Sequence, residues 1–333
     1  MIAEAMTRQR GWILLAVAGI AVLAAVPFVL MPFHVRVGQL ILLSTGLGLA
    51  WTLLGGFAGY WSFGHTAFIG LGAFAAGLFE TEFLGTAFMR AEPLAGLALG
   101  LVVGMAACAA VAAVVAVPIL RLRGIYFAVA MLGVAQVLSE LTNSIDAFKG
   151  SLGLVFPRIA AFGLRQEAVF YYLLLIATVV ILAIAFAVKN ARIGQGLVAM
   201  REDEDTARML GVPTERYKVG MFVLSATLTG ALGVIYAHSL GYITTGSVYR
   251  TDFSLNMIVY NLLGGMGTLV GPMIGAVVMV VLTQVVLGSF LNLHMFLTGA
   301  MLMALVLAAP KGIMGGIVGS WLAYRRRRAA AAA

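Results

Sequence analysis

Residues 168–188, AVFYYLLLIATVVILAIAFAV, contain no charged side chain and are long enough to cross a membrane as a helix. The following segment, 189–218, carries eleven of the chain's 34 Asp, Glu, Lys and Arg residues. A second uncharged run, 219–249, comes directly after it. This pattern predicts a water-exposed segment held between two membrane-spanning helices, where a soluble partner docks.

The whole chain shares this apolar character. Its residues are 62% hydrophobic and 10% charged, and the mean hydropathy of +1.05 is typical of integral membrane proteins. Because one crossing takes about 20 apolar residues, the charge-free windows predict about ten transmembrane helices, some of them short or broken. Long runs rich in Leu, Ala and Val favour an all-α fold over a β-barrel, whose strands give short alternating segments. The windows are 11–35, 37–79, 93–120, 124–139, 168–188, 219–249 and 253–310.

The positions of Lys and Arg predict how the chain lies in the membrane. With the N-terminus inside, 15 of the 21 basic residues fall on the inner side, in agreement with the positive-inside rule. We therefore expect a multi-pass protein of the bacterial inner membrane, with both termini and the charged segment in the cytoplasm. The net charge of +8 follows from this bias, so it indicates no nucleic-acid binding. Residues 1–333 are then one membrane domain, with an extracytoplasmic loop at 141–167 and a basic, alanine-rich cytoplasmic tail at 319–333.

Within the charged segment, residues 195–212 are predicted to form one helix on the cytoplasmic surface. It begins near Gly194 and ends at Gly211 and Pro213, which are typical helix-stop residues. Its predicted apolar side consists of Val198, Met209 and Leu210, and its charged side of Glu202, Asp203, Glu204, Asp205 and Arg208. A helix lying on the membrane surface is one interpretation, but such helices usually carry a basic face. The acidic face favours docking with a protein.

Two glycine-rich stretches interrupt the apolar pattern, and both begin with Leu-Leu-Gly-Gly, at 53–56 and 262–265. Paired interruptions are typical of broken helices that line a transport path, although close helix packing through small residues also explains them.

Polar side chains in the apolar windows are further candidates for lining a solute path. Helix-to-helix hydrogen bonding is the alternative explanation for these residues: Gln39, Ser44, Thr45, Gln136, Asn256, Asn261, Thr283 and Gln284. The predicted substrate path includes Ser62, His65, Asn256, Asn261, Gly264 and Gly265.

The acidic helix also resembles a known motif. Residues 205–211, Asp-Thr-Ala-Arg-Met-Leu-Gly, are similar to the EAA-x-x-x-G loop of ABC importer permeases, with Asp for Glu and Thr for the first Ala. In those permeases the short helix fits a groove on a cytoplasmic ATPase, so the resemblance implies the same role here. The residues that it implies in ATPase coupling are Arg201, Glu202, Asp203, Asp205, Ala207, Arg208 and Gly211.

Residues 36–318 as a whole resemble the branched-chain amino-acid permeases among the ABC importers. The similar stretches are 62–72, 122–128, 199–218, 263–275 and 310–315. The Leu-Arg-Gly-Ile-Tyr segment at 122–126 and the Arg-Glu-Asp-Glu-Asp run look more like the LivM type than its LivH partner. One departure lies at 148–153, Phe-Lys-Gly-Ser-Leu-Gly, where the family often has a Thr-Gly-Gly-Ser-type stretch. The resemblance therefore allows several solutes: branched-chain amino acids, other amino acids, amides, urea and small carboxylates.

The resemblance implies an ABC importer permease fold and a set of partners. These are a second, LivH-like permease, two cytoplasmic ATPase subunits, an extracytoplasmic solute-binding protein and the membrane lipid. ATP and Mg would be bound by the ATPase subunits, because this chain has no G-x-x-x-x-G-K-[ST] phosphate loop, and no cofactor is expected in the chain itself. An ATP-independent channel or secondary carrier is the alternative. Against a carrier, Glu80, Glu140 and Asp252 all fall near predicted span ends.

Neither a metal site nor a catalytic site is predicted. The four histidines, His34, His65, His238 and His294, lack the spacing of metal ligands. No apolar window combines Ser, His and Asp in the order of a hydrolase or holds a pair of carboxylates. The composition and motifs therefore indicate transport without chemistry on the solute.

Overall fold

A computed structural model describes residues 22–145, 152–157, 159 and 165–286, together with the single positions 19, 299, 303 and 313. Six helices in this part of the chain are long and apolar enough to cross a membrane. They are Pro32–Gly56, Thr66–Leu84, Pro93–Ile119, Ile125–Ser144, Gln166–Asn190 and Thr214–Leu240. The predicted all-α membrane fold is confirmed, and each of these helices matches a crossing predicted from the charge-free windows.

The window 253–310, predicted to cross three times, is described continuously as far as residue 286. Two helices shorter than a full crossing occupy that part, Thr251–Gly264 and Val270–Val280. They are separated where the second glycine-rich stretch predicts a break. Residues 11–18, 20 and 21 of the first window, the third predicted crossing of this window apart from positions 299 and 303, and the tail at 319–333 lie outside the described residues.

The helices and strands are numbered here in chain order. The first half contains α1 (Pro32–Trp51, continued by the π-helical turn Thr52–Gly56), α2 (Thr66–Leu78, continued by the π-helical turn Phe79–Leu84), α3 (Gly85–Ala91), α4 (Pro93–Ile119) and α5 (Ile125–Ser144). The second half contains β1 (Leu154–Val155), α6 (Gln166–Asn190), α7 (Arg192–Glu202), α8 (Glu204–Met209), α9 (Thr214–Leu240), β2 (Tyr242–Ile243), α10 (Thr245–Val248), α11 (Thr251–Gly264) and α12 (Val270–Val280, continued by the π-helical turn Val281–Val286).

Successive long helices run in alternate directions, so their connections gather at two ends of the bundle. The charged end, as it is called below, carries the turns 57–65 and 120–124 and the segment 191–213. The strand end carries β1, β2 and α10. There the two strands pair antiparallel, with Leu154 opposite Ile243, and the N–H of Phe156 donates to the carbonyl oxygen of Gly241. The strands therefore tie the predicted outer loop to the end of α9.

Glycines allow α2, α4 and α9 to pack backbone to backbone in the centre of the bundle. A Cβ built on Gly72 would lie 2.6 Å from the carbonyl oxygen of Gly230, and one on Gly233 would lie 2.3 Å from that of Ile69. A Cβ on Gly104 would lie 2.9 Å from the carbonyl oxygen of Gly72. Close approach through small residues is a common mode of helix association in membranes.

Candidate coupling surface and solute path

The charged segment forms two helices that meet at Asp203. This residue has an extended backbone (φ −157°, ψ 116°), and its side chain accepts a hydrogen bond from the backbone N–H of Thr206. The prediction of one helix over 195–212 is therefore wrong. Asp is a strong N-cap residue, and an acidic first turn complements the positive N-terminal end of α8. Hydrogen bonding to Thr206 also lowers the pKa of Asp203.

The end of α8 follows the sequence prediction. Gly211 has φ +84°, a left-handed conformation that glycine adopts without steric cost. Its N–H donates to the carbonyl oxygen of Arg208 over 3.0 Å. A Cβ at Gly211 would meet nothing within 4 Å, so the backbone conformation alone explains the glycine.

The surface formed by α7, α8 and the turn through Gly211, called the elbow below, exposes most of the residues implied in ATPase coupling. Those exposed are Arg201, Glu202, Asp203, Asp205, Arg208 and Gly211. Ala207 differs from them, because it is only 1% exposed and packs against the bundle. A small residue at this position allows α8 to lie close to the helices beneath it.

The apolar side of the elbow was predicted wrongly. Leu197 and Met200 are the buried anchors of α7, whereas Met209 and Leu210 are 87% and 76% exposed. Val198 is also exposed. The error arose from treating the elbow as one continuous helix, because the break at Asp203 changes which residues share a face. Large exposed apolar side chains beside acidic ones are typical of a protein contact surface.

Glu204 anchors the elbow to the bundle, although the sequence placed it on the exposed charged side. Its side chain is only 9% exposed, and Oε1 lies 2.8 Å from Nζ of Lys218, which is 2% exposed. The Tyr60 hydroxyl donates to the other carboxylate oxygen. Burial alone would raise the pKa of Glu204, but the hydrogen bonds from Lys218 and Tyr60 outweigh it and lower that pKa. Glu204 is therefore held as a carboxylate.

A second ion pair attaches the elbow to the turn at 120–124. Both terminal nitrogens of Arg123 donate to the carboxylate of Asp205, each over 2.9 Å. This geometry is the bidentate fork that guanidinium groups form with carboxylates. Hydrogen bonding to Arg123 lowers the pKa of Asp205. The sequence marked the Leu-Arg-Gly-Ile-Tyr segment as a family resemblance without assigning it a role, and the structure shows that its arginine contacts the elbow.

Arg201 connects the elbow to both glycine-rich stretches. Its Nη1 donates to the carbonyl oxygen of Gly56 over 3.2 Å. A Cβ on Gly267 would lie 2.4 Å from the same nitrogen, and a Cβ on Gly59 would lie 2.9 Å from Cγ of Arg201. The two stretches also meet each other, since a Cβ on Gly56 would lie 3.4 Å from the backbone nitrogen of Gly267. We call this meeting point the glycine junction (Gly56, Gly59 and Gly267).

Gly264 and Gly265, predicted in the solute path, lie at the turn between α11 and α12. A Cβ on Gly264 would lie 1.7 Å from the carbonyl oxygen of Gly271, so the two helices touch through their backbones. Gly265 has φ +121°, which only glycine adopts readily. Close packing therefore explains the glycine at position 264, and backbone conformation explains the one at position 265. Neither glycine requires a role in lining the path.

Ser62 and His65 form a buried chain of hydrogen bonds with α9. Ser225 Oγ donates to the carbonyl oxygen of Ala50 over 2.7 Å, so it accepts from Nε2 of His65 at 2.7 Å. Nδ1 of His65 is then the acceptor for Ser62 Oγ at 2.8 Å. All three side chains are 0% exposed. The network assigns His65 a neutral, Nε2-protonated form and connects α9, through this histidine, to the turn before α2.

The two asparagines predicted in the path have different surroundings. Asn261 is 0% exposed, donates to the carbonyl oxygens of Gly48 and Met257, and accepts from Thr52 Oγ1. It therefore bonds α11 to α1, as the helix-to-helix alternative describes. Asn256 is only half-buried and lines a pocket of about 230 Å³ near the strand end.

Sequence reasoning missed one buried ionisable pair. Nε2 of His238 lies 2.9 Å from Oε2 of Glu80, and their side chains are 0% and 2% exposed. Nδ1 of His238 donates to the carbonyl oxygen of Val234 over 2.9 Å. Glu80 does lie near a helix end, but it points into the bundle. The signal was present in the sequence, because a Glu and a His in apolar helices need a polar partner.

These features define a multi-pass helical membrane protein that presents an acidic elbow at one end and connects it to two broken helices. The chain belongs to the family described as the branched-chain amino acid transport system / permease component, whose model matches residues 33–306.

The chain is also similar to curated relatives. It is 28% identical over 330 residues to the high-affinity branched-chain amino acid transport system permease protein LivM of Escherichia coli strain K12, covering 90% of this chain and 74% of that one. It is 26% identical to LivM of Salmonella typhimurium strain LT2, with the same coverage. The LivH permease of the same Salmonella strain is 28% identical over 138 residues, 40% of this chain and 43% of LivH. No solved structure matches the chain with significance.

Proposed function

We propose that this chain is a transmembrane permease subunit of an ATP-binding-cassette importer for branched-chain or related amino acids. Membership of the permease family and similarity to LivM over nine tenths of the chain support this function. The single observation that carries the mechanism is the contact of Arg201 with Gly56, because it connects the exposed elbow to the glycine junction. Movement of an ATPase docked on the elbow would reach the broken helices through this contact.

The elbow is suited to transmit such movement as one body. Glu204, Asp205 and Arg201 fix it to α9, to the turn at 120–124 and to the glycine junction, respectively. Met209 and Leu210 remain exposed for the ATPase surface. Movement of an ATPase docked on the elbow would then shift several helices together. Access to a central path would thereby alternate between the two sides of the membrane.

The proposal includes partners that bind the energy source and the solute. Two ATPase subunits in the cytoplasm would bind ATP and Mg, and an extracytoplasmic binding protein would deliver the solute. A second permease similar to LivH would complete the membrane part, and similarity of this chain to both LivM and LivH supports such a pair. We place the protein in the bacterial inner membrane with both termini in the cytoplasm, on the basis of its Lys and Arg distribution.

Two alternatives remain distinct from this proposal. The solute could be another small polar molecule, such as urea, an amide or a small carboxylate. A gradient-driven carrier is favoured by one observation, the Glu80 and His238 pair, because carriers use ionisable groups buried in the bundle. The sequence argument against a carrier was that Glu80, Glu140 and Asp252 fall near span ends, and the burial of Glu80 against His238 weakens that argument.

Reconstitution separates these functions. The permease would be purified with the ATPases and the second permease from neighbouring reading frames, placed in vesicles, and supplied with the binding protein and labelled leucine. We expect uptake that requires ATP and the binding protein and continues when proton and sodium gradients are collapsed. Uptake by this chain alone, abolished by collapsing a gradient, would establish the carrier instead. ATP-driven uptake of urea or an amide but not of amino acids would change the solute and keep the mechanism.

A further inference from the structure

A pocket of about 230 Å³ opens between α1, α9, α11 and the π-helical turn that follows α12. Ser44, Asn256, Thr283 and Gln284 line it, and they are four of the eight polar side chains that the sequence offered as path candidates. Residues separated by more than 200 positions thus converge on one cavity. A small concave site with a few convergent polar groups is the usual form of a solute-binding site.

The pocket also carries one pair of opposite charges. Nη2 of Arg250 and Oδ2 of Asp252 are 2.7 Å apart, with side chains 57% and 61% exposed. The backbone carbonyl of Arg250 accepts a hydrogen bond from Thr66 Oγ1 over 2.8 Å, which fixes the start of α11. An exposed ion pair contributes at most about 1 kcal/mol. Either charge can therefore exchange its partner for a solute group at low cost.

The rest of the wall is largely apolar. Leu40, Leu43 and Leu47 lie on one face of α1, and Val280 completes the surface from α12. This wall is a suitable environment for a short aliphatic side chain, since it removes apolar surface from water. The pocket therefore combines a positive group, a negative group and an aliphatic wall.

We propose that this pocket is the first solute site inside the permease and that it binds a zwitterionic α-amino acid with an aliphatic side chain. Arg250 binds the carboxylate, Asp252 binds the ammonium group, and the leucines of α1 contact the side chain. The solute class rests on the proposed function, and the location and the residue roles are added here.

Contacts between α1 and α11 lie beside and beyond the pocket. The Tyr260 hydroxyl, which lines the pocket, lies 3.2 Å from Ser44 Oγ. Beyond it, Asn261 bonds α11 to Gly48 of α1 and is 0% exposed. A solute held between Arg250 and Ser44 can move on only when α1 and α11 separate, which is the motion that the elbow would drive.

Cysteine protection tests the site directly. Leu40→Cys would be made in a Cys108→Ala background and placed in the reconstituted importer without binding protein, where a small thiol reagent labels it from the pocket. Leucine should slow the labelling. Isocaproate lacks the ammonium group and isoamylamine lacks the carboxylate, so each should need at least about tenfold higher concentration, the factor for losing one hydrogen bond to a charged group. Leu152→Cys, exposed at the strand end, should show no protection.

Charge variants assign the two groups. In the Leu40→Cys protein, Arg250→Gln should raise the half-protecting leucine concentration about tenfold and remove the preference for leucine over isoamylamine. Asp252→Asn should instead remove the preference for leucine over isocaproate. The analogue comparison needs neither variant, so it decides the question even where a charge variant fails to fold.

Three results would overturn the site. Two of them are equal protection by leucine, isocaproate and isoamylamine, and an unchanged half-protecting concentration in both charge variants. Absence of leucine protection while the complete importer transports leucine would also exclude this pocket and keep the proposed function. Absence of leucine transport by the complete importer, with its binding protein saturated, would count against the proposed function itself.

Discussion

Arg201 of α7 donates a hydrogen bond to the carbonyl oxygen of Gly56 over 3.2 Å, across 145 positions of sequence. One side chain thereby joins the exposed elbow to the end of α1. The same guanidinium lies against Gly267 of the second broken stretch. A docking surface and two helix breaks therefore share one contact.

Replacing Arg201 tests whether this contact transmits motion. Arg201→Gln removes the charged donor, which is worth about 1.5–3 kcal/mol, so we expect solute-stimulated ATP hydrolysis in vesicles to fall about tenfold or more. Binding of the ATPase should persist, because Met209 and Leu210 are untouched. The matched control is Arg192→Gln, an exposed arginine on the same helix. Wild-type coupling in Arg201→Gln would show that motion reaches the bundle by another contact.

The backbone contact of Gly264 with Gly271 gives a prediction about stability. Gly264→Ala would place a Cβ 1.7 Å from a carbonyl oxygen, so α11 and α12 must move apart. We expect a loss of about 1–3 kcal/mol, the range for overpacking a close contact, measured by thermal unfolding in detergent. Gly133→Ala on α5 is the control, because a Cβ there meets nothing within 4 Å. Equal melting of the two variants would contradict the tight contact.

The six crossings in the described part of the chain were predictable because the physical requirement is local. Each span needs about 20 apolar residues, and that requirement can be seen within one window of sequence. The break after Gly264 was predictable for the same reason, since glycine marks it directly. Gly211 was identified correctly because a helix stop depends only on its immediate neighbours.

The errors concern contacts between distant residues. Glu204 sits within an acidic run, and nothing in that run distinguishes it from Glu202, which is exposed. Only the positions of Lys218 and Tyr60 in space bury it. The helix break at Asp203 is the exception, a local cap that was missed because the same side chain could also have lain within a continuous helix. His65 and Ser225 are 160 positions apart, so their hydrogen bond required the fold.

Cysteine labelling tests the proposed orientation. In a Cys108→Ala background, a cysteine at Glu202 should react with an impermeant thiol reagent only from the cytoplasmic side, and one at Leu152 only from outside. Both positions are exposed, and they lie at the charged end and the strand end, respectively. Reaction of both cysteines from one side would contradict the alternating course of the helices. Reaction with the two sides exchanged would reverse the orientation and remove the elbow from the cytoplasm.

Glu204 predicts how the stability of the elbow depends on pH. Its pKa in the folded protein lies below its ordinary value of 4.5, so its contribution is complete above that value and is lost as the pH falls through the lowered pKa. Glu204→Gln leaves the buried Lys218 without its closest carboxylate. We therefore expect the variant to be less stable by about 1–3 kcal/mol at pH 7.

Thermal unfolding of both proteins in detergent between pH 7 and pH 3 measures this effect. The difference between wild type and Glu204→Gln should be constant down to about pH 5 and should shrink at lower pH, because the wild-type carboxylate becomes protonated there. Glu202→Gln is the matched control, and because its side chain is 75% exposed it should change stability by less than about 1 kcal/mol at every pH. A difference that stays constant to pH 3 would mean that the ion pair with Lys218 does not stabilise the elbow.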